Sequence, residues 1–313
     1  MPKSAKSSAA PATTPSAAVT PGAATTPGAA SPAAAPVTAA PLTAAPVRLA
    51  VRKTYKLYIG GKFPRSESGR TFVVDGDNVA LASRKDARDA VLAARAAQSK
   101  WAGATAYNRG QVLYRIAEMI EARRAEFVAL GVPDAEVDAT IDRWVWYAGW
   151  SDKIAQVTGG ANPVAGPYLN ISAPEPTGVV GIVAPASLLG LVSVIAPAIV
   201  TGNTVVVLAD APQIAITLAE VLATSDVPGG VVNLLTGRHP ETAPWLASHD
   251  DVNALDLTGV TDPELAVEWE RAAAGTLKRV IRPSGATDFT ADPGLRPMTA
   301  LLETKTVWHP KGY

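Results

Sequence analysis

The side chains that can act as nucleophiles in this chain of 313 residues are hydroxyls, because the sequence contains 0 cysteines. The candidates are Ser187, Thr261 and Ser284. None of them has a histidine or a lysine close by in the sequence to take its proton, and an unactivated hydroxyl is a weak nucleophile at neutral pH. Of the 3 histidines, His239 and His249 are predicted to be surface or helix-end residues. The sequence therefore favours a chain without a nucleophilic centre.

Composition limits the other kinds of site. The absence of cysteine excludes disulfides and thiolate metal sites. With 3 histidines in the chain, a histidine cluster is not expected either, and we predict no metal cofactor. Lysine and arginine total 28, aspartate and glutamate also total 28, and the formal net charge of +0 argues against a surface that binds nucleic acid.

The positions where a ligand would bind follow from an alternation of strand-like and helix-like segments. Strands are predicted at 178–184, 204–208, 231–235 and 254–257, and helices at 86–101, 108–130, 134–157, 188–200, 214–224 and 240–248. This alternation predicts an α/β fold with a doubly wound parallel sheet. Such a sheet binds ligands at the carboxyl ends of its strands, so the site is expected in the loops 184–187, 208–211, 236–239 and 258–261.

Residues 1–46 have a composition unlike the rest of the chain. They contain 17 Ala, 9 Pro, 7 Thr and 5 Ser, and neither an acidic nor an aromatic residue. Proline interrupts helices, and small side chains bury too little area to offset chain entropy, so a disordered tail is predicted. Eight positive charges precede the first acid, Glu67, which suggests an arm for an anionic partner or a solvated linker. We favour the linker because Lys3 and Lys6 are the only charges within the tail.

The most apolar part of the sequence, residues 178–200, is interrupted by Pro185, Ser187, Ser193 and Pro197. A buried strand followed by a buried helix explains this pattern better than a membrane span does. The start of the chain has neither a compact apolar region nor the arginines of a transit peptide, so a cytoplasmic location without membrane association is expected.

Several short stretches form a set that is specific in combination. They are K-L-Y-I-G-G-K-F at 56–63, which predicts a hairpin, the helix ending at Trp101, R-G-Q-V-L-Y at 109–114, E-P-T-G-V-V-G-I at 175–182, T-G-N-T-V-V at 201–206, P-G-G-V-V-N at 228–233 and L-T-G at 257–259. Together they resemble the NAD(P)-dependent aldehyde dehydrogenases. The resemblance implies the Rossmann-like cofactor domain of that superfamily, with NAD or NADP as its cofactor.

The resemblance also implies cofactor contacts, and several of these positions depart from the family pattern. The implied contacts are Val183, Ala184, Pro185, Leu208, Asp210 and Gly259. Where the family has a ribose-binding lysine and, three residues on, a glutamate, this chain has Leu208 and Ala211, with Asp210 as a substitute acid. Where the family has a serine and a glycine near the diphosphate, it has Val260 and Glu264. Leucine and valine offer no hydrogen bond and a carboxylate repels a diphosphate, so these departures predict weakened binding.

The catalytic residues of the family are the largest departure. Ser187 stands at the place of the asparagine whose amide donates to the oxyanion, and a serine hydroxyl is shorter. The family's general-base glutamate lies in a Glu-Leu-Gly-Gly motif and its cysteine attacks the aldehyde; this sequence has neither. Residues 301–308, L-L-E-T-K-T-V-W, resemble the family's C-terminal oligomerisation strand. The pattern predicts a cofactor-type domain with the catalytic domain deleted.

The domain boundaries follow from these segments. We predict a disordered tail over 1–46, a cofactor-type domain over 47–265, an irregular linker over 266–297 and an oligomerisation strand over 298–313. The favoured function is a catalytically degenerate family member that acts as an assembly or regulatory subunit, with a second copy or a full-length aldehyde dehydrogenase as its partner. Two alternatives are an NAD(P)-dependent oxidoreductase that borrows a catalytic centre from another chain, and a nucleotide-binding module without chemistry.

Overall fold

The computed structural model of the chain describes residue 49 and residues 51–285 and 287–312, so the predicted tail over 1–46 lies outside the described residues. A small sheet with the strand order β1-β3-β2 comes first. Its strands are β1 (Thr54–Tyr55), β2 (Thr71–Val74) and β3 (Asp77–Ala80). Between β1 and β2 a tight turn bridges Ile59 to Lys62. Gly60 and Gly61 form this turn with φ of 61° and 78°, values that glycine adopts without a steric cost.

Five helices follow. They are α1 (Arg84–Ala102), α2 (Ala106–Ala122), α3 (Arg124–Ala129), α4 (Asp134–Trp150) and α5 (Ile154–Thr158). α1 begins at a capping box in which Ser83 accepts from the backbone of Asp86 and the Asp86 carboxylate accepts from the backbone of Ser83. The helix predicted at 108–130 is divided into α2 and α3 at Arg123, whose backbone leaves helical geometry. The helix predicted at 134–157 is divided into α4, which ends at Trp150, and α5.

Two antiparallel strands lead out of this helical region. They are β4 (Gly160–Asn162) and β5 (Tyr168–Pro176), and they pair from Gly160 opposite Ser172 to Asn162 opposite Asn170. Most side chains of β5 are exposed or half-buried, which is unusual for a strand of nine residues next to a buried sheet. β5 therefore contributes little to the core.

The central sheet has five parallel strands in the order β10-β9-β6-β7-β8. In chain order its elements are β6 (Val179–Val183), α6 (Leu188–Val200), β7 (Thr204–Ala209), α7 (Pro212–Ala223), β8 (Val232–Thr236), α8 (His239–Ser248), β9 (Ala254–Asp256), α9 (Pro263–Ala274) and β10 (Arg279–Ile281). Every residue of β6, α6, β7 and β8 is buried. This is the predicted doubly wound fold, and the direction of the strand order reverses between β6 and β9.

The segment 266–297 contains more regular structure than the irregular linker expected from its prolines and glycines. Most of α9 lies in it, and Ala266, Trp269 and Ala273 form the buried stripe of that helix. β10 then pairs in parallel with β9 as the outer strand of the sheet. The alternation of strands and helices thus continues past residue 265, because three apolar side chains at helical spacing suffice to dock α9.

The end of the chain returns to β5. After α10 (Arg296–Thr299), β11 (Leu302–Pro310) pairs antiparallel with β5 through nine residue pairs, from Leu302 opposite Pro176 to Pro310 opposite Tyr168. The resulting sheet has the order β11-β5-β4, and we call it the arm. In the part of the chain that the structure describes, no helix is long and apolar enough to cross a membrane.

Buried asparagines hold the amino edge of the central sheet. Asn203 accepts from the amide of Gly178 at 2.7 Å and donates to the carbonyl of Leu301 at 3.0 Å. The side-chain amide of Asn233 donates to the carbonyls of Val205 and Gly230 at 3.1 and 2.9 Å. These bonds tie the side chains to backbone groups next to the starts of β6, β7, β8 and β11, so the residues of the T-G-N-T and P-G-G-V-V-N motifs serve the fold.

Candidate functional site

The carboxyl edge of the sheet brings most of the predicted cofactor positions together. The amide of Gly259 donates to the carbonyl of Val183 at 2.9 Å, and the amide of Ala184 donates to that of Leu208 at 3.0 Å. A Cβ atom at Gly259 would overlap the carbonyl of Ala184, so only glycine allows the two loops to approach so closely. The loops after β6 and β9 therefore touch at the point where the strand order reverses, which is where a doubly wound sheet binds its ligand.

The end of β7 offers no polar group to a ribose at the position of Leu208, whose side chain is buried. The nearest acid is the substitute, Asp210, and its carboxylate lies 3.2 Å from Nε2 of His239 at the start of α8. The contact is close enough for an ion pair but does not have hydrogen-bond geometry. Asp210 thus faces an imidazole of the same chain.

His239 is a helix-end residue, as the sequence suggests, but it is buried rather than on the surface, with 9% of its area exposed. Burial lowers the pKa of His239 below its ordinary value, and the negative charge of Asp210 opposes that shift. The imidazole is therefore mainly neutral at pH 7. The contact could not be read from the sequence, because it joins the loop after β7 to the loop after β8. The other predicted helix-end histidine, His249, follows α8 and accepts from the amide of Asp251 at 3.1 Å.

The start of α9 does not fit a diphosphate. A helix binds an anion through its first free N–H groups. In α9 the carboxylate of Asp262 already accepts from the amides of Glu264 and Leu265, at 2.9 and 3.5 Å, and Pro263 has no N–H. The side chain of Glu264 adds a second negative charge in the first turn. Two carboxylates at this helix start would repel a diphosphate, so the start of α9 does not fit the diphosphate group of NAD or NADP.

The start of α6 is occupied in a similar way. Ser187, the predicted counterpart of the oxyanion asparagine, caps the helix by accepting from the amide of Gly190 at 3.0 Å. The carboxylate of Glu136 in α4 accepts from the amide of Leu189 at 3.1 Å. A negatively charged oxygen that formed beside Ser187 would therefore meet the charge of Glu136, which is the reverse of what an oxyanion site requires.

The remaining hydroxyl candidates are not placed next to a base. Ser284 is exposed and its hydroxyl lies 2.9 Å from the hydroxyl of Thr287, while Thr261 is exposed in the loop after β9. Over the described residues, neither hydroxyl makes a hydrogen bond to an imidazole, and no group of three or more His, Cys, Asp or Glu side chains is arranged to hold a metal ion. Among the described residues, the structure does not pair the hydroxyl of Ser187, Thr261 or Ser284 with a histidine or lysine base.

Comparisons with known proteins agree with this fold. The model of the aldehyde dehydrogenase family matches residues 76–290. The chain is similar to "Aldehyde dehydrogenase, cytosolic 1" of Elephantulus edwardii, with 33% identity over 74% of this chain and 50% of that protein. It is also similar to human "Retinal dehydrogenase 2", with 32% identity over 80% of this chain and 52% of that protein.

A solved structure gives the same picture. The aldehyde dehydrogenase from Bacillus cereus in its NAD+ complex superposes with a TM-score of 0.67 and 29% identity, covering 73% of this chain and 50% of that chain. The chain therefore spans about half the length of the relatives that it matches. The matched half includes the central sheet and the start of α9, where this chain carries the two carboxylates described above.

Proposed function

The chain belongs to the aldehyde dehydrogenase family, and on that premise we propose that it is a non-catalytic member that works by assembly, with a second copy of itself as the partner. Three properties of the chain support the absence of dehydrogenase chemistry. The sequence has 0 cysteines, the start of α6 holds Glu136, and the start of α9 is capped by Asp262. Each opposes a different part of the reaction: attack on the aldehyde, stabilisation of an oxyanion and binding of a dinucleotide.

The observation that carries the assembly proposal is the arm. Leu169, Ile171 and Val307 lie on one face of it, because Val307 is paired with Ile171 and Leu169 is two residues away on β5. Each of these three residues has between 43% and 51% of its surface area exposed. On the other face Trp308 is 57% exposed and stacks edge-to-face on Tyr168 at 5.8 Å. Apolar and aromatic side chains that gather on a thin sheet are typical of a surface that another protein covers.

The outer edge of the arm also suits a second copy. β11 is the outer strand over nine residues, and among the described residues its far side pairs with no other strand. An exposed strand of this length presents unpaired N–H and C=O groups that invite edge-to-edge pairing. Two copies of one strand can pair antiparallel about a two-fold axis, which gives a closed dimer.

The arm is attached firmly to the central sheet. The carbonyl of Leu301 accepts from the side chain of Asn203 at 3.0 Å and from the amide of Thr177 at 3.2 Å. Arg279 of β10 makes a forked ion pair with Glu303 of β11, at 2.5 and 2.6 Å. A partner on the arm would therefore be held in a fixed position relative to the sheet. A full-length aldehyde dehydrogenase is the second partner that this arm could fit, and such an enzyme would supply the catalytic centre that this chain lacks.

The test is the molar mass of the purified full chain in solution, by size-exclusion chromatography with light scattering. We expect a dimer or a larger closed assembly at micromolar concentration. Val307→Asp places a charge in the arm's apolar face, and we expect it to weaken association by about 10-fold or more because an unpaired charge would be buried. Val73→Asp is the matched control: Val73 is also a strand valine, 67% exposed, but it lies outside the arm.

The outcomes separate the partners. A monomeric mass for the unmodified chain that persists when a full-length aldehyde dehydrogenase is added would overturn the assembly proposal. A monomer that co-elutes with the added enzyme would identify the enzyme as the partner. Equal weakening by Val307→Asp and Val73→Asp would show that the arm is not the interface.

A further inference from the structure

A cavity of about 790 Å³ is lined by no residue of the arm strands β4, β5 and β11. Its walls come from α4, α6, the end of β9, α9, β10, α10 and the loop that connects β10 to α10. The volume is in the range of sites that take small molecules. The cavity shares Thr258 with the loop after β9, but none of the six predicted cofactor positions lines it.

Three buried polar side chains line this cavity without full use of their hydrogen-bonding groups. Tyr147 of α4 and Ser193 of α6 are 0% and 9% exposed. The hydroxyl of Ser193 has no hydrogen-bond partner among the described residues, and that of Tyr147 makes no hydrogen bond of normal geometry there, although the guanidinium of Arg143 lies beside it. Asp256 of β9 is 4% exposed. One oxygen of its carboxylate accepts from the amide and the hydroxyl of Thr258, at 2.9 and 2.5 Å, and the other accepts no hydrogen bond from the described part of the chain. Buried polar groups are ordinarily paired, so these three require a partner.

None of the cations around the cavity forms an ion pair with Asp256 among the described residues. Arg143 donates to the carbonyls of Phe289 and Ala291, at 2.6 and 2.9 Å, which fixes the loop that covers the cavity. Arg282 is paired with Glu270. The remaining charged groups of the wall are Lys278, which contacts the hydroxyl of Thr276, Asp288 and Asp292, which accept from loop amides, and the exposed Arg296.

The charge of Asp256 is therefore left without a counter-ion from the protein. Burial raises the pKa of Asp256 to about 6, and the hydrogen bonds from Thr258 are the groups that oppose this shift. At neutral pH the carboxylate is largely ionised in spite of its burial. An ionised carboxylate in this position gains most from a ligand that brings a positive charge.

From this arrangement we propose that the cavity is a binding site for a small organic amine. The protonated nitrogen is held by the free oxygen of Asp256, with the hydroxyls of Tyr147 and Ser193 as further polar partners. The apolar part of the ligand packs against the aliphatic wall formed by Val194 of α6 and Ile281 of β10. The site goes beyond assembly: it would allow a metabolite that carries an amino group to bind the chain without being transformed.

The experiment compares three probes of similar size on the unmodified full chain by isothermal titration calorimetry at pH 7.5. The probes are 2-phenylethylamine, which carries a positive charge, 2-phenylethanol, which is neutral, and 3-phenylpropionate, which is negative. We expect the amine to bind with a 1:1 stoichiometry, at least about 10-fold more tightly than the alcohol, because it makes a charge-assisted hydrogen bond in a buried site. The carboxylate is expected not to bind. An amine that binds no better than the alcohol overturns the proposal, and this comparison needs no variant.

A substitution locates the site. Asp256→Asn keeps the shape of the side chain and removes its charge, so we expect it to erase the advantage of the amine over the alcohol. Asp226→Asn is the matched control, because Asp226 is exposed and does not line the cavity. Amine binding that survives Asp256→Asn in a folded chain would show that the amine binds elsewhere. The molar-mass experiment on the arm is independent of both results.

Discussion

The two edges of the central sheet differ in how their side chains are used. At the amino edge, Asn203 and Asn233 are fully buried and bond to backbone groups of neighbouring elements. At the carboxyl edge, Leu208 has no polar atom in its side chain, Ser187 caps α6, and Asp262 caps α9. The side chains of the amino edge hold the sheet together. Those of the carboxyl edge accept hydrogen bonds from the amides at the starts of α6 and α9, so few of these amides remain available to a ligand.

If the chain is non-catalytic, as we propose, this difference explains how its sequence can still resemble an enzyme family. The indole nitrogen of Trp101 donates to the carbonyl of Ile199 at 2.8 Å, and Arg109 donates to the carbonyl of Val200 at 3.0 Å, so both side chains fix the end of α6. These residues, with the asparagines of the amino edge, carry much of the resemblance. The resemblance therefore reports the backbone that the family shares, whereas activity depends on the few side chains at the opposite edge.

The largest expected effect tests the amino edge. Asn203→Ala would leave the buried amide of Gly178 and one bond of the Leu301 carbonyl without a partner. The unsatisfied amide costs about 1–3 kcal/mol and the lost bond to Leu301 adds about 1 kcal/mol, so we expect a loss of about 3–4 kcal/mol in the free energy of unfolding. Urea denaturation measures it. A loss below about 1 kcal/mol would mean that the amino edge does not depend on this side chain.

A second prediction concerns Asp256 and has a defined pH dependence. Its pKa is raised from 3.8 in the unfolded chain to about 6 in the fold, so the fold favours the protonated form. The contribution of this group to the free energy of unfolding is therefore fully present below about pH 4. It falls by about 3 kcal/mol in total as the pH rises from about 4 through about 6. Asp256→Asn should therefore stabilise the chain relative to the unmodified protein at pH 8 and lose that advantage at pH 4. Equal differences at the two pH values would contradict the prediction.

The smallest effect tests the carboxyl edge directly. Ser187→Ala removes the hydroxyl that caps α6, and we expect a loss of about 1 kcal/mol in the free energy of unfolding, the usual value for a helix cap. Ser187→Asp, which restores a capping oxygen, should recover part of it, limited by repulsion from Glu136. Full retention of stability in Ser187→Ala would show that the hydroxyl is not used as a cap and would reopen a catalytic role for it.

The sequence predicts the fold well where apolar residues are continuous. The helix expected at 188–200 has those bounds in the structure, because Ser187 caps its start and the apolar residues of the segment end at Val200. The helix α9 was not predicted: three buried side chains among many polar ones give a weak pattern. The pairing of β11 with β5 rests on the family resemblance, since pairs such as Val307 with Ile171 are too far apart in the sequence for a local signal.

The site was less accessible to prediction. The replacements at Leu208, Val260 and Glu264 can be read from the sequence. Their effect on cofactor binding depends on which neighbouring backbone groups already have a hydrogen-bond partner within the chain. Only the structure shows that the carboxylate of Asp262 uses the amides at the start of α9. The contact between Asp210 and His239 and the burial of Asp256 in a cavity wall also depend on packing between separate elements.

The central claim of the proposed function is that the carboxyl edge does not support dehydrogenase chemistry. The most direct test is the aldehyde-dependent formation of NADH or NADPH by the purified full chain, followed by absorbance with propanal as the aldehyde. A chain without cysteine and with carboxylates at the starts of both α6 and α9 should give no rate above that of the buffer. Turnover by the chain alone, proportional to its concentration and resistant to thiol reagents, would contradict the claim.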